Sequence, residues 1–216
     1  MNQRFEQIYE TNEWQHGSGE GSLPIHTRSY VAFLERFLVE RGIRSVVEMG
    51  CGDWQFSKDV RWGVASYRGF DVVRSVIASN QAQHARDGVE FQLYSGNPAE
   101  LPAADLLIVK DVLQHLSDRA VAEFLPHLPR FKYALLTNCV NPRGLTVNRD
   151  IVDGDFRYLD LRLSPFHLAA TEVHAFTNTM GWMARLLRRP RWFKRVLLVE
   201  GSVLAPARAS LDPVPD

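Results

Sequence analysis

Two glycines one residue apart, Gly50 and Gly52, end an apolar run that carries an acid: Val46-Val47-Glu48-Met49-Gly50-Cys51-Gly52. Glycine lets a backbone turn sharply and approach a ligand with no Cβ between them. A second carboxylate, Asp71, closes the next apolar run 23 residues after Glu48. An acid about 20 residues beyond such a turn is placed to accept hydrogen bonds from ribose hydroxyls. Turn and acid together predict an adenosine-containing cofactor. NAD or FAD calls for a third glycine where this chain has Gln55, which weakens pyrophosphate binding at a helix N-terminus. Taken without Asp71, the Gly-x-Gly also has a reading as a plain tight turn.

These residues need elements to hold them. Apolar runs of strand length at 44–50, 65–72, 89–95, 104–111 and 132–140 alternate with helically spaced segments at 56–64, 72–86 and 117–131, the last with Ser117 as N-cap. Such alternation predicts right-handed crossovers and a mostly parallel sheet covered on both faces. Ahead of it, 28–43 places Tyr30, Phe33, Leu34, Phe37 and Leu38 on one helical face and stops at Gly42. After the fifth run, 172–178 and 193–201 read as two further strands around a helical 181–189. With 216 residues, 45% hydrophobic, 23% charged and a net charge of zero, one folded domain is expected, neither disordered nor fibrous, with nothing that demands a polyanionic partner. Cys51 and Cys139 are too few for a zinc site of thiolates alone and read as reduced residues; no metal cluster is apparent. The N-terminus has no apolar run of signal-peptide type, and no segment reaches the roughly 18 apolar residues of a membrane span, so a cytoplasmic protein is expected. The expected division is an N-terminal helical lid segment over 1–43, a cofactor-binding domain over 44–201 and an Ala- and Pro-rich tail over 202–216.

With these motifs in order the chain resembles the class I S-adenosylmethionine-dependent methyltransferases. Glu48-Met49-Gly50-Cys51-Gly52 resembles their acidic-x-Gly-x-Gly turn, Asp71 in YRGFDVV their ribose-binding acid, and Ala104 to Ser117, ADLLIVKDVLQHLS, their fourth strand with its following His-Leu. The resemblance covers roughly 10–140 plus the two closing strands. It implies an α/β fold, a Rossmann-like three-layer sandwich whose seven-stranded, mostly parallel sheet has its last strand antiparallel, and S-adenosylmethionine as cofactor. The implied cofactor shell is Glu48, Gly50, Cys51, Gly52 and Trp54 at the first turn, Asp71 and Val72 at the second, Asn97 and Pro98 at the third, and Lys110, Asp111 and Val112 at the fourth. Two departures stand out: Trp54 occupies the place of the third small residue, and Asn97 that of an adenine-contacting acid, although an amide still offers both donor and acceptor. The stretch 12–30 resembles a Gly/Ser-rich loop and threonine-led helix that sit over the cofactor in some bacterial methyltransferases of this type, which adds Ser18, Gly19 and Thr27. Loop N–H groups and hydroxyls suit a methionine carboxylate. Trp14 favours an ordered lid over a plain linker, because a large aromatic side chain needs something to cover.

Methyl transfer from a sulfonium is an in-line displacement in which protein groups position the nucleophile, exclude water and sometimes take a proton. His115, which titrates in the useful range, is the first candidate for a general base toward a hydroxyl; its other reading is packing beside the cofactor. Asp111 is a candidate to orient an acceptor or hold the cofactor's amino group, or else caps the next helix. The long polar segment 137–168 would cover an acceptor pocket, with Asn138, Asn141, Arg149, Asp155 and Arg157 as candidate substrate contacts, joined by Asp150 and Asp160, or else with these residues in surface ion pairs. Interleaved Arg and Asp with Phe156 and Tyr158 suit a polar, hydroxyl-rich acceptor such as a saccharide. His167 and His174 read as structural. The basic run 185–195 reads as a solvated or docking surface, and would be the gripping face if RNA were the acceptor. The expected function is methyl transfer to a small polar acceptor, at oxygen more than nitrogen, of a saccharide or a natural-product intermediate. An RNA methyltransferase, or a catalytically silent S-adenosylmethionine-binding protein, is the alternative.

Overall fold

The apolar runs become the strands of one sheet. A computed structural model describes residues 2–64, 66–144, 146–179 and 192–201. The strands are β1 (Ser45–Met49), β2 (Ser66–Asp71), β3 (Val89–Leu93), β4 (Leu106–Lys110), β5 (Tyr133–Val140), β6 (Thr171–Thr177) and β7 (Phe193–Glu200). Their order is β3-β2-β1-β4-β5-β7-β6, with β1 to β5 paired in parallel and β7 antiparallel to both β5 and β6. All seven strands and the antiparallel last one are therefore as expected. The order reverses between β1 and β4, and the crevice beyond their carboxyl ends is where such sheets bind ligands.

The helices are α1 (Asn2–Glu10), α2 (Pro24–Glu40), α3 (Arg74–His84) and α4 (Asp118–Phe124). Phe5 and Ile8 of α1 pack with Val47, Met49, Leu107 and Val109 and with Val121 and Phe124 of α4 on one face of the sheet. Tyr30, Phe33, Leu34, Phe37 and Leu38 of α2 cover the other with Val46, Leu106 and Ile108. Residues before β1 thus belong to the core, and α1 itself was not foreseen. Gly42, at φ 58°, ends α2 as expected. Ser117 caps α4, its hydroxyl accepting from the Ala120 N–H at 3.4 Å.

The expected helix at 56–64 is corrected. Only one short turn, Ser57–Asp59, forms there. Trp54, Phe56, Val60 and Trp62 all bury in the cluster that α2 covers, so α2 already occupies that face of the sheet. The segment lies along its edge, fixed by the Trp62 indole donating to the Ser57 carbonyl at 2.9 Å. The readings of 181–189 as a helix and of 202–216 as a tail lie outside the described residues. No described helix is long and apolar enough to cross a membrane.

Candidate active site

The first turn is built around Asp71. Its Oδ2 accepts from the Gly52 N–H at 2.9 Å and its Oδ1 from the Val73 N–H at 3.0 Å, tying the end of β2 to the turn after β1. Burial raises its pKa, and these N–H donors oppose the rise. Each oxygen keeps a lone pair for a ligand hydroxyl. Gly50 and Gly52 have φ of 72° and 52°, and a Cβ on either would overlap the Val112 or Ser18 side chain. The turn is a cradle that only glycine fits.

From the N-terminal side, residues 11–23 fold over this cradle. The Ser18 hydroxyl donates to Asp53 Oδ1 at 2.6 Å, accepts from the Asp53 N–H at 3.0 Å and meets the Tyr9 hydroxyl at 2.7 Å. Gln55, where a third glycine would stand, donates through Nε2 to Asp53 Oδ2 and to the His16 carbonyl. It is a strut for the loop. Trp14 packs edge-on to Phe5 and Tyr9 and lies 4.8 Å, centroid to centroid, from His115.

Two cavities result. The first runs over the glycine turn and is lined by Phe5, Tyr9, Gly50, Cys51, Gly52, Asp71, Val72, Tyr94, Pro98, Lys110 and Val112, among others. The second lies under the loop between Gly19, Gly21, Gln114, Cys139, Phe156, Trp192 and Lys194. Trp14, Ser18, Asp111 and His115 line both and form the junction.

At the junction Asp111 leaves β4 at φ 59°, a conformation that costs a side-chain-bearing residue energy and persists only where neighbours enforce it. Its Oδ2 accepts from Lys110 Nζ at 2.6 Å and from Lys194 Nζ, and both ammonium groups also donate to the Gly21 carbonyl at 3.2 Å. Its Oδ1 is buried with no partner among the described residues. Burial alone would raise the Asp111 pKa, but the two lysines hold it at about 2. Burial pulls Lys110 down to about 8 against the opposing pull of Asp111.

His115 is fixed at both nitrogens. Nδ1 lies 2.8 Å from the Asp155 carbonyl, an acceptor only, so Nδ1 carries the proton. Nε2 is then the acceptor, facing Gln114 Nε2 at 3.3 Å, while Gln114 Oε1 accepts from the Cys139 N–H at 2.6 Å. The ring is held neutral with a basic Nε2, and burial lowers its pKa below the usual imidazole value.

Several expected residues sit elsewhere. Trp54, 1% exposed, packs on Tyr67 and Phe91 in the cluster that α2 covers, its indole donating to the Tyr67 hydroxyl at 2.8 Å. Glu48 lies beneath the turn, accepting from that same hydroxyl and from Ser57 Oγ at 2.8 Å. Both support the turn from below and line neither cavity. Asn97 is turned outward, its Oδ1 capping a short turn through the Ala99 N–H at 3.1 Å, and Tyr94, Gly96 and Pro98 line the cavity instead. Thr27 is buried in the first turn of α2, bonded to the Leu23 carbonyl at 3.2 Å.

Several of the candidate substrate contacts are likewise engaged within the protein. The Arg157 guanidinium is buried, pairing with Asp118 and donating to the Arg149 and Leu116 carbonyls at 2.8 and 2.7 Å. Arg149 itself is exposed. Asp150 and Asp153 accept from the N–H groups of Asp118 and Ser117, each at 2.7 Å, so the segment caps α4. Asn141 Oδ1 accepts from the Arg143 N–H at 2.9 Å, a local turn. Asn138 is buried in β5 and lines neither cavity. Asp155 acts through its carbonyl on His115, with its side chain exposed. Asp160 is bound by Arg162 and Arg195. Of the basic run, Lys194 and Arg195 are held in ion pairs, and Arg185, Arg188, Arg189 and Arg191 lie outside the described residues.

The Glu48 network has a measurable consequence. Burial raises its pKa from 4.5 to about 7, so its contribution to stability is present below 4.5 and lost as pH rises through about 7. Glu48→Gln removes that titration. The rise from 4.5 to about 7 corresponds to about 3 kcal/mol, an upper bound on how much more stable the variant should be than the parent at about pH 8. Urea unfolding of both at about pH 5 and pH 8 measures it; an equal difference at the two pH values would reject the assignment.

No family model matches this sequence, and no curated protein matches it. Solved structures do. Magnesium protoporphyrin IX methyltransferase from Synechocystis PCC 6803, with bound S-adenosylhomocysteine, aligns at a TM-score of 0.61 and 15% identity over 93% of this chain and 99% of that one. The N-methyltransferase NodS from Bradyrhizobium japonicum WM9, in complex with S-adenosylhomocysteine, aligns at 0.62 and 13% over 90% and 98%. The N-terminal domain of EvdMO1, in the presence of S-adenosylhomocysteine and D-fucose, aligns at 0.54 and 15% over 80% and 83%. With this sheet order and its antiparallel β7, the chain has the Rossmann-like fold of the class I S-adenosylmethionine-dependent methyltransferases.

Proposed function

We propose that the chain is an S-adenosylmethionine-dependent methyltransferase acting at a hydroxyl of a small polar acceptor, a saccharide or a related natural-product intermediate. The observation that carries this is the junction: a glycine-floored cavity with Asp71 at its side opens, between Asp111 and His115, onto a second cavity. The residues present fit the cofactor. The cradle admits no Cβ, Asp71 retains acceptor capacity toward ribose, and Lys110, with two of its three N–H groups on Gly21 and Asp111, keeps one for a carboxylate. Asp71 would hold the ribose, the Gly50–Gly52 backbone and Val72 the nucleoside side, and Ser18 and Lys110 the methionine end, with Asp111 turned to the acceptor.

When bound, S-adenosylmethionine supplies a methyl group on a sulfonium. The chain's own contribution is placement and proton management. Trp14 and α1 shield the junction from water, and the second cavity seats the acceptor. His115 Nε2, once the Gln114 amide at 3.3 Å gives way to the acceptor's hydroxyl, takes the hydroxyl proton, with Nδ1–H anchored on Asp155 keeping the ring in the required tautomer. Acceptors named for the structural neighbours differ, from a porphyrin to phosphoethanolamine, so the preference for a hydroxyl comes from the chemistry of His115. The two departures from the family pattern, Trp54 and Asn97, have structural duties of their own and leave the cradle intact.

Asp71→Ala tests the cofactor assignment. Loss of a charged acceptor for ribose and for two backbone N–H groups should weaken S-adenosylhomocysteine binding at least about tenfold, or 1.4 kcal/mol. Calorimetric titration of both proteins measures this, and equal affinities would remove Asp71 from the site.

A further inference from the structure

The second cavity contains groups that neither the glycine turn nor the proton acceptor requires: Lys194, Trp192 and Phe156. We propose that this cavity is the acceptor subsite and takes an uncharged hydroxylated ring of pyranose type, with one hydroxyl seated on the Asp111–Lys194 pair. This deepens the methyltransferase reading and rests on it.

The pair's hydrogen-bond inventory sets the ligand's chemistry. Lys194 has three N–H donors, and among the described residues two of them are used, on Gly21 and Asp111. Asp111 has one oxygen saturated by two lysines and one with no partner among the described residues. Side by side they offer one donor and one acceptor. A hydroxyl, which donates and accepts at once, completes both. A carboxylate in the same place could accept from Lys194 but would face Asp111 with no proton to give, and an ammonium could donate to Asp111 but would face Lys194, with Lys110 behind it, with no lone pair to offer. The one other ionic group on the lining among the described residues, Glu20, is exposed and faces His26 at 3.4 Å. Desolvated like-charge contacts of this kind are a strong basis for rejection.

The walls fit a ring. Trp14, Trp192 and Phe156 flank the polar floor, with Lys194 Nζ 4.4 Å from the Trp192 centroid. Phe156, 51% exposed, lies 5.8 Å from His115 and 5.5 Å from Tyr158. Exposing an aromatic side chain against a polar floor has little structural benefit, whereas apolar ring faces of a polyol pack on such surfaces. His115 lines the same cavity, so a hydroxyl next to the one held by the pair is the one presented to Nε2.

The test uses the full chain loaded with S-adenosylhomocysteine and three probes: methyl β-D-glucopyranoside, the matching glucuronic acid and glucosamine. Binding is read by saturation-transfer NMR. The neutral glycoside should bind, and the acid and the amine should bind at least about tenfold more weakly. Lys194→Met should weaken the glycoside about tenfold, and Phe156→Ala, a change at an exposed position that leaves the fold in place, should weaken it severalfold. Tighter binding of either charged probe, no glycoside binding by the loaded protein, or glycoside binding indifferent to both variants would each overturn the proposal. S-adenosylhomocysteine titrated alone separates the two levels: if it fails to bind the parent protein, the methyltransferase reading itself has failed.

Discussion

His115→Ala should lower kcat/KM for methyl transfer by about 100-fold to 10,000-fold, the range set by a positioned proton acceptor. The reasoning runs through the ring's two anchors. Nδ1–H is committed to the Asp155 carbonyl, so the lone pair is at Nε2, where the Gln114 amide at 3.3 Å must give way to the acceptor's hydroxyl; His115 lines both cavities. Burial lowers the ring's pKa, which keeps the base unprotonated under mildly acidic conditions. The acid limb of the parent's pH profile should therefore fall below the usual imidazole value of about 6.5, with activity lost as pH drops through it. The variant should lose both the rate and the limb while still binding S-adenosylhomocysteine. A limb of the same position in His115→Ala would assign it to another group and reduce His115 to a packing partner of Trp14.

Asp111→Ala should have the largest effect on stability, a loss of about 3–5 kcal/mol near neutral pH, because it leaves Lys110 and Lys194 buried together without their counter-charge. The pH dependence has a definite sign. In the parent, the Asp111 pKa is depressed to about 2 from 3.8, so its contribution is present above 3.8 and lost as pH falls through about 2. In the variant, Lys110, already down at about 8, loses the carboxylate that supported its charge. The unfolded chain then binds more protons than the folded one, and the deficit should shrink as pH rises toward the usual lysine value. Asp111→Asn keeps an acceptor without the charge, so recovery of stability in that variant would show that hydrogen bonding, not charge, is what matters. Urea unfolding across pH measures both.

What the sequence made legible follows from the physics of each signal. The seven strands were readable because their apolar runs are bounded by polar turns, and the glycine cradle because Gly50, Gly52 and Asp71 must keep fixed spacing to meet. Trp14 as an ordered cover was readable for the same reason: a large aromatic must pack. Tertiary choices were not. The aromatic segment after the cradle has helical spacing, yet α2, from earlier in the chain, had already taken its face. Phe5, Ile8 and Tyr9 carry the spacing of an amphipathic helix that would have revealed α1. Lys194 was hidden inside a basic run that looked like surface. A lysine in the apolar alternation of FKRVLLVE, with Val196 and Leu198 next on its face, was the available clue. Arg157 resembled a substrate contact because sequence gives no means of pairing it with Asp118, 39 residues away.

The most direct measurement is calorimetric titration of S-adenosylmethionine, S-adenosylhomocysteine and NAD into the unmodified chain. Binding of the two adenosyl ligands, with none of NAD, is the predicted result, because Asp71 faces the cradle and Gln55, serving as a strut, blocks the third glycine position that a pyrophosphate needs. Binding of NAD, or of neither adenosyl ligand, would contradict the assignment of the cradle and of the chemistry built on it.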